Sequence, residues 1–309
     1  MTSRDAPAPA ARARGGAPRS VRVGRAELVQ VDCLDWLAAR EPCSIHAVVT
    51  DPPYGVREYG ERELGKLRAG RGGVWRIPPA LGGHVRRPVP RFTTLTPAER
   101  RAMAEHFAEW ARRLLRVLVP GAHVFVAGNP LVSHLVQVPL VEAGFEKRGE
   151  IVRLVQTLRG GDRPKNAHQE LADVTVMPRS AWEPWGLFRK PCQGTVRDNL
   201  HRWGTGGLRR ESPARPFTDV IPCGPTRPAE RRLADHPSLK PQAFVRRLVR
   251  AALPFGEGVV LDPFLGGGST VAAAEHLGYA SIGLELDPEY FALACRAIPE
   301  LAALDAPAR

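Results

Sequence analysis

Several things are scarce in this chain, and each scarcity excludes something. No apolar run among its 309 residues approaches the roughly eighteen that a membrane-crossing helix needs, and the N-terminus lacks a secretory apolar core. A protein working in water in the cytoplasm is therefore expected. The five cysteines (Cys33, Cys43, Cys192, Cys223, Cys295) form no C-x-x-C pair, so neither a zinc site nor a disulfide framework is indicated and no metal is expected. Acidic residues are in deficit: 32 Asp plus Glu against 44 Lys plus Arg leave a formal charge of +12, which favours an anionic partner such as nucleic acid. No G-x-x-x-x-G-K-[ST] loop is present, and no internal repeat is evident.

What is present is an α/β rhythm. Residues 1 to 20, rich in Ala, Pro, Gly and Arg, read as a disordered basic tail. Glu27 to Val31 reads as a strand, Cys33 to Ala39 as a short helix, and Ala47 to Thr50 as a buried strand. Residues 56 to 95 run rich in Gly, Pro and Arg without periodicity, a long loop of the kind that is usually functional or disordered. Thr96-Pro97-Ala98-Glu99 has the spacing of a capping box and opens an amphipathic helix to about Leu118, with Pro120-Gly121 as its stop. A strand His123 to Ala127, a helix Leu131 to Ala143 and strands near Glu150 to Gln156 and Val174 to Met177 follow. Residues 181 to 235, with Trp182, Trp185, Trp203 and interleaved arginines, have weak periodicity and suggest a segment that reads a substrate, although any single Trp is better read as core. The boundaries expected are a tail at 1–20, a first catalytic part at 21–190, an insert at 191–235 and a second, cofactor-binding part at 236–309.

Two places carry chemistry. At the end of the strand Ala47 to Thr50 stands Asp51-Pro52-Pro53-Tyr54. Each proline fixes its own φ and removes a donor, which leaves a stiff set of acceptors beside an aromatic face. Such a set suits the amino group of a flat heterocycle, whose N–H groups need acceptors and whose ring needs a surface to lie on. The second place is the strand Val259-Val260-Leu261 followed by Asp262-Pro263-Phe264-Leu265-Gly266-Gly267-Gly268-Ser269-Thr270 and a helix to about Leu277. Glycines at such a turn let backbone approach a ligand closely. Glu285 ends the strand Ala280 to Leu284, about twenty residues past the glycines, where a carboxylate reaches ribose hydroxyls. The turn departs from G-x-G-x-x-G because Val271 stands in the third glycine's place, so a cofactor with a ribose and no phosphates is favoured over NAD or ATP. Taken singly, Asp51 to Tyr54 could be a strand-to-turn junction with a packed tyrosine, and the glycines an ordinary turn.

Together, in this order, the two motifs resemble those of S-adenosylmethionine-dependent amino-group DNA methyltransferases of the β, permuted type. His236-Pro237-Ser238-Leu239-Lys240-Pro241, leading into a helix Gln242 to Leu253, resembles that family's H-P-x-x-K-P cofactor segment. The resemblance covers roughly 21 to 190 and 236 to 298. It implies a Rossmann-like fold: a mostly parallel twisted sheet, helices on both faces, a reversed strand and an irregular inserted recognition region. It implies S-adenosyl-L-methionine as cofactor and double-stranded DNA as substrate; a cognate restriction endonuclease, solitary action and a pair of copies are the alternatives for further partners. It assigns Asp51, Pro52, Pro53 and Tyr54 to catalysis on a flipped-out base, and Asp262, Phe264, Gly266, Gly268, Ser269, Thr270 and Glu285 to the cofactor. His236 and Lys240 join the cofactor side or are plain surface residues near a helix start. Asp32 is either an acidic residue near the cofactor's adenine, as in the family, or the cap of the helix that follows it. An aspartate heading the tetrapeptide is more usual for adenine N6, and serine for cytosine N4. RNA- and protein-modifying relatives place the glycine motif first, whereas here it comes last.

Overall fold

A computed structural model of the chain describes residues 18–53, 80–81, 84–85, 95–155, 163–164 and 166–305. The tail expected at 1–20 falls almost wholly outside the described residues, as do Tyr54 and most of the 56–95 loop.

The strands are β1 (Arg19–Val23), β2 (Ala26–Gln30), β3 (Ile45–Thr50), a two-residue pair β4 (Ala80–Leu81) and β5 (His84–Val85), β6 (Leu118–Ala127), β7 (Glu146–Leu154), β8 (Trp182–Arg189), β9 (Val220–Pro222), β10 (Val259–Asp262) and β11 (Ala280–Glu285). The helices are α1 (Cys33–Ala39), α2 (Pro97–Val117), α3 (His134–Glu142), α4 (Val196–Trp203), α5 (Pro228–Leu233), α6 (Gln242–Ala252), α7 (Ser269–His276) and α8 (Pro288–Ala303). Nine strands form one sheet in the order β1-β2-β11-β10-β3-β6-β8-β7-β9. From β2 through β6 all pairs are parallel; β8 runs antiparallel to both β6 and β7, and β1 antiparallel to β2. This is the mostly parallel, Rossmann-like sheet with a reversed strand that the sequence leads one to expect. Among the described residues no helix is long and apolar enough to cross a membrane.

Burial of β3 on both sides explains why it reads as a continuous apolar run. Val48 packs into a core with Phe107, Trp110 and Leu114 of α2, while Ala47 and Val49, pointing the other way, pack with Phe244, Val245 and Leu248 of α6. The two helices thus cover opposite faces of the sheet. Helix α2 begins with the expected capping box: Thr96 Oγ1 accepts from the Glu99 amide at 3.2 Å, and Glu99 accepts from the Thr96 amide at 2.8 Å.

Pro120-Gly121 does not end α2; the helix stops at Val117 and β6 starts at once, running through both residues with every position buried. Register against β3 jumps between the pairs Ile45↔Leu118 and Ala47↔His123, so the Pro-Gly pair forms a bulge, with Gly121 at φ +79°. Val174 to Met177 is not a strand. Val174, Val176 and Met177 are exposed, and only turns and bends occur from Asn166 to Ser180. The missing strand is Trp182–Arg189, inside the stretch read as irregular. Pro184 and Gly186 disguise it, yet Pro184 lies beyond Ala127↔Trp185, the last pair with β6, and a Cβ at Gly186 would meet Phe188 at 2.7 Å.

Candidate active site

Strands β3 and β10 are neighbours, with Leu261 opposite Val48. From β10 the chain passes through α7 to β11 on one side, and from β3 it passes to β6 on the other. A crevice opens at the carboxyl ends of strands where the winding reverses in this way. Asp51 follows β3 and Asp262 closes β10, so both stand on its rim. Thr50 Oγ1 donates to Asp262 Oδ1 at 2.7 Å, a buried bond that joins the two strand ends across 212 residues of sequence. Asp51, Trp185, Lys240, Asp262, Phe264 and Gly266 line one cleft. The acidic acceptor and the glycine turn therefore face the same space. Pro52 is buried and Pro53 exposed.

The glycine turn is held from several directions. Gly266 and Gly268 have φ of +49° and +83°, the left-handed region that glycine enters at little cost. The Gly266 amide donates to Glu285 Oε2 at 2.8 Å, and the Asp287 amide to Glu285 Oε1 at 2.9 Å. Glu285 thus sits at the end of β11 against the turn, as its spacing requires. A Cβ on Gly268 would come within 2.6 Å of Ile298, and one on Gly267 within 2.9 Å of His236, so α8 and the 236–241 segment press directly on the turn. Ser269 Oγ accepts from the Lys240 amide at 3.0 Å, and the Ser269 carbonyl accepts from Gln242 at 2.9 Å. Thr270 is buried and bonds the Asp262 carboxyl. His236 meets Tyr290 edge to face with ring centroids 4.5 Å apart. Phe264 packs on Phe107 and Trp110 of α2 at 6.4 and 5.9 Å.

Asp32 caps α1: its Oδ1 accepts from the Leu34 amide at 2.8 Å. It lies two residues past the end of β2, where the Val31 amide reaches the Glu285 carbonyl at 2.9 Å. Lys240 has a different surrounding from the one its motif suggests. Its backbone meets the glycine turn, but its ammonium lies 2.7 Å from Asp51 Oδ2 and 3.1 Å from Glu183 Oε1. Glu183, on β8, also accepts from Arg153 Nη1 at 2.8 Å and from Trp185 Nε1 at 3.1 Å. Thr50, Glu183 and Arg153 carry no motif in the sequence, and Trp185, named there within 181–235, is buried against the cleft. A charged residue between two tryptophans and next to a proline was the one signal for Glu183.

Burial sets the local electrostatics. It pushes the Asp262 carboxyl up to about 7, against the pull of hydrogen bonds from Thr50, Phe264 and Thr270. Burial likewise raises Glu285, opposed by the amides of Asp287 and Gly266. For Glu183 burial acts upward, but Lys240 and Arg153 prevail and bring it down to about 2. Burial would lower Lys240; Asp51 and Glu183 hold it above its ordinary range instead.

A doubly wound α/β sheet with an acceptor motif and a glycine turn across one crevice defines the class of Rossmann-like methyltransferases. Residues 45–296 match the N6/N4 methyltransferase model described as DNA methylase, and the chain belongs to that family. It is 22% identical over 268 residues to the type II methyltransferase M2.DpnII of Streptococcus pneumoniae, covering 86% of this chain and 87% of the relative. It is 25% identical over 266 residues to the type II methyltransferase M.HindIII of Haemophilus influenzae, covering 78% and 85%. Among solved structures, TTHA0409 of Thermus thermophilus complexed with S-adenosyl-L-methionine matches with a TM-score of 0.52 at 21% identity, over 88% of this chain and 94% of that one. The cytosine-N4-specific PvuII DNA methyltransferase matches with a TM-score of 0.56 at 16% identity, over 91% and 86%.

Proposed function

We propose that this chain methylates the exocyclic N6 amine of adenine at a specific site in double-stranded DNA, with S-adenosyl-L-methionine as methyl donor. The observation that carries this reading is Asp51 facing the glycine turn across a crevice whose two rims are joined by Thr50 and Asp262. The residues suit that cofactor. Glu285 offers a carboxylate at a strand end for ribose hydroxyls, Phe264 an aromatic surface, and residues 262–270 include no Lys or Arg to hold phosphates. His236, Ser269 and Thr270 shape the same turn, and Asp32 stands just past the adjoining strand.

The cofactor supplies a methyl group activated by a sulfonium; the chain does the rest. An aromatic amine attacks poorly because its lone pair is shared with the ring. Asp51 and the Pro52 carbonyl accept its two N–H groups, draw the nitrogen toward tetrahedral geometry and aim the lone pair. Lys240, bound to Asp51 Oδ2, orients the carboxylate for this task. Asp51 also stabilises the positive charge that grows on nitrogen and takes up the departing proton. The base must leave the duplex to reach the cleft, at a cost of a few kcal/mol that stacking on Tyr54 partly offsets. Adenine is preferred because aspartate, not serine, heads the tetrapeptide.

We assign target recognition to 191–235, where arginines and Trp203 meet the composition of a nucleic-acid contact, and a DNA contact to the arginines of the 56–95 loop. We infer that the chain works in the cytoplasm beside a cognate restriction endonuclease, a reading supported by its likeness to two relatives named type II methyltransferases. Sedimentation tests pairing of two copies. The deciding experiment is expression in a methylation-free host and sequencing of its DNA with modified-base detection. N6-methyladenine at one sequence is expected; N4-methylcytosine refutes the choice of base, and unmodified DNA refutes the function.

A further inference from the structure

Behind Asp51 a chain of charges runs through Lys240 to Glu183 and Arg153, the last two outside any motif. Asp51 meets Lys240 at 2.7 Å, Lys240 meets Glu183 at 3.1 Å, and Glu183 meets Arg153 at 2.8 Å. The side chains of the four are only 13, 13, 19 and 6% exposed, so solvent screens them little. Arg153 is fixed in turn by the Gly224 carbonyl at 2.6 Å and lies over the Phe244 ring, 5.7 Å from its centroid. The signs alternate and sum to zero. A buried ammonium within a cleft that must admit a sulfonium would repel it; the anions on either side of Lys240 remove that repulsion.

We propose that Glu183 is a positioning residue for methyl transfer: it holds the Lys240 ammonium on Asp51 and cancels the charge that would otherwise exclude a cationic cofactor. This rests on the methyltransferase reading of the cleft. Its specific consequence is selectivity between the sulfonium substrate and its uncharged thioether product, because the two differ at sulfur by one methyl and one charge. A purely structural role for Glu183 would affect both ligands alike.

Calorimetric titration of S-adenosylmethionine and S-adenosylhomocysteine against the parent and Glu183→Gln separates these cases. An uncompensated unit charge within about 12 Å of a cation, at an effective dielectric constant of about 20, is worth about tenfold in affinity. Glu183→Gln should weaken the sulfonium ligand by about tenfold relative to the thioether. Glu183→Gln with Lys240→Gln removes one charge of each sign and should restore the parental ratio, even where both affinities fall. An equal loss for both ligands, an unchanged ratio in the single variant, or a ratio that stays shifted in the double variant overturns the proposal. A parent that binds neither ligand sinks the methyltransferase reading itself, and the role of Glu183 falls with it.

Discussion

Thr50→Val cuts the bond that joins the two halves of the site. The replacement preserves shape and removes one donor, the hydroxyl that reaches Asp262 Oδ1 at 2.7 Å between residues 0 and 3% exposed. The cost depends on the charge of the acceptor. A hydrogen bond to an ionised group contributes about 1.5–3 kcal/mol and one to a neutral group about 0.5–1.5 kcal/mol. Asp262 titrates at about 7 when folded and at the ordinary 3.8 when exposed, so it is ionised in the native state at pH 8.5 and protonated at pH 5.5. Because its folded value is raised, its contribution to stability declines as pH climbs from about 4 to about 7 and is level beyond. Thr50→Val should extend that decline to higher pH. The expected loss is about 2 kcal/mol at pH 8.5 and about 1 kcal/mol at pH 5.5, and the difference of about 1 kcal/mol corresponds to a further rise of about 0.7 in the Asp262 pKa. Urea unfolding at the two pH values, followed by tryptophan fluorescence, measures both losses. Equal losses, or a larger one at pH 5.5, would refute an ionised Asp262 held by Thr50.

Asp51→Ala should lower single-turnover methylation at saturating cofactor by roughly 10²- to 10⁴-fold while affinity for the uncharged thioether S-adenosylhomocysteine stays within a few-fold of the parent; methylation at the parental rate would show that the amine is not held there. Glu285→Ala should do the reverse, weakening cofactor binding by about 2 kcal/mol, or roughly thirtyfold, in a calorimetric titration, since it removes the carboxylate that holds the Gly266 amide and that we propose binds the ribose. Thr96→Ala breaks the capping box of α2 far from the cleft and should cost about 1 kcal/mol in chemical unfolding without altering cofactor affinity.

Local features of this molecule were readable because their causes are local. The capping box at Thr96, the helix Cys33–Ala39, and the strand–glycine turn–helix from Val259 each follow from a few adjacent residues. Where the cause lies elsewhere in the chain, local signals mislead. Trp182–Arg189 carries Pro184 and Gly186, yet β6 and β7 flank it and make it a strand. Pro120-Gly121 looks like a helix stop and is a bulge because β3 dictates the register beside it. Glu183 and Arg153 could not be joined from sequence, since their ion pair exists only because the β7–β8 register sets them directly opposite one another.

That register gives the reversed strand a part in the chemistry. Asp51 belongs to the end of β3, Lys240 to the segment that presses on the glycine turn, Glu183 to β8 and Arg153 to β7, so the charge chain ties together both rims of the crevice and two strands beyond it. A slip of β8 by one residue would turn Glu183 to the other face of the sheet, leaving the Lys240 ammonium with Asp51 as its sole anionic neighbour among the described residues. The pairing of β8 with β7 is therefore a condition for placing the acceptor, as well as for closing the sheet.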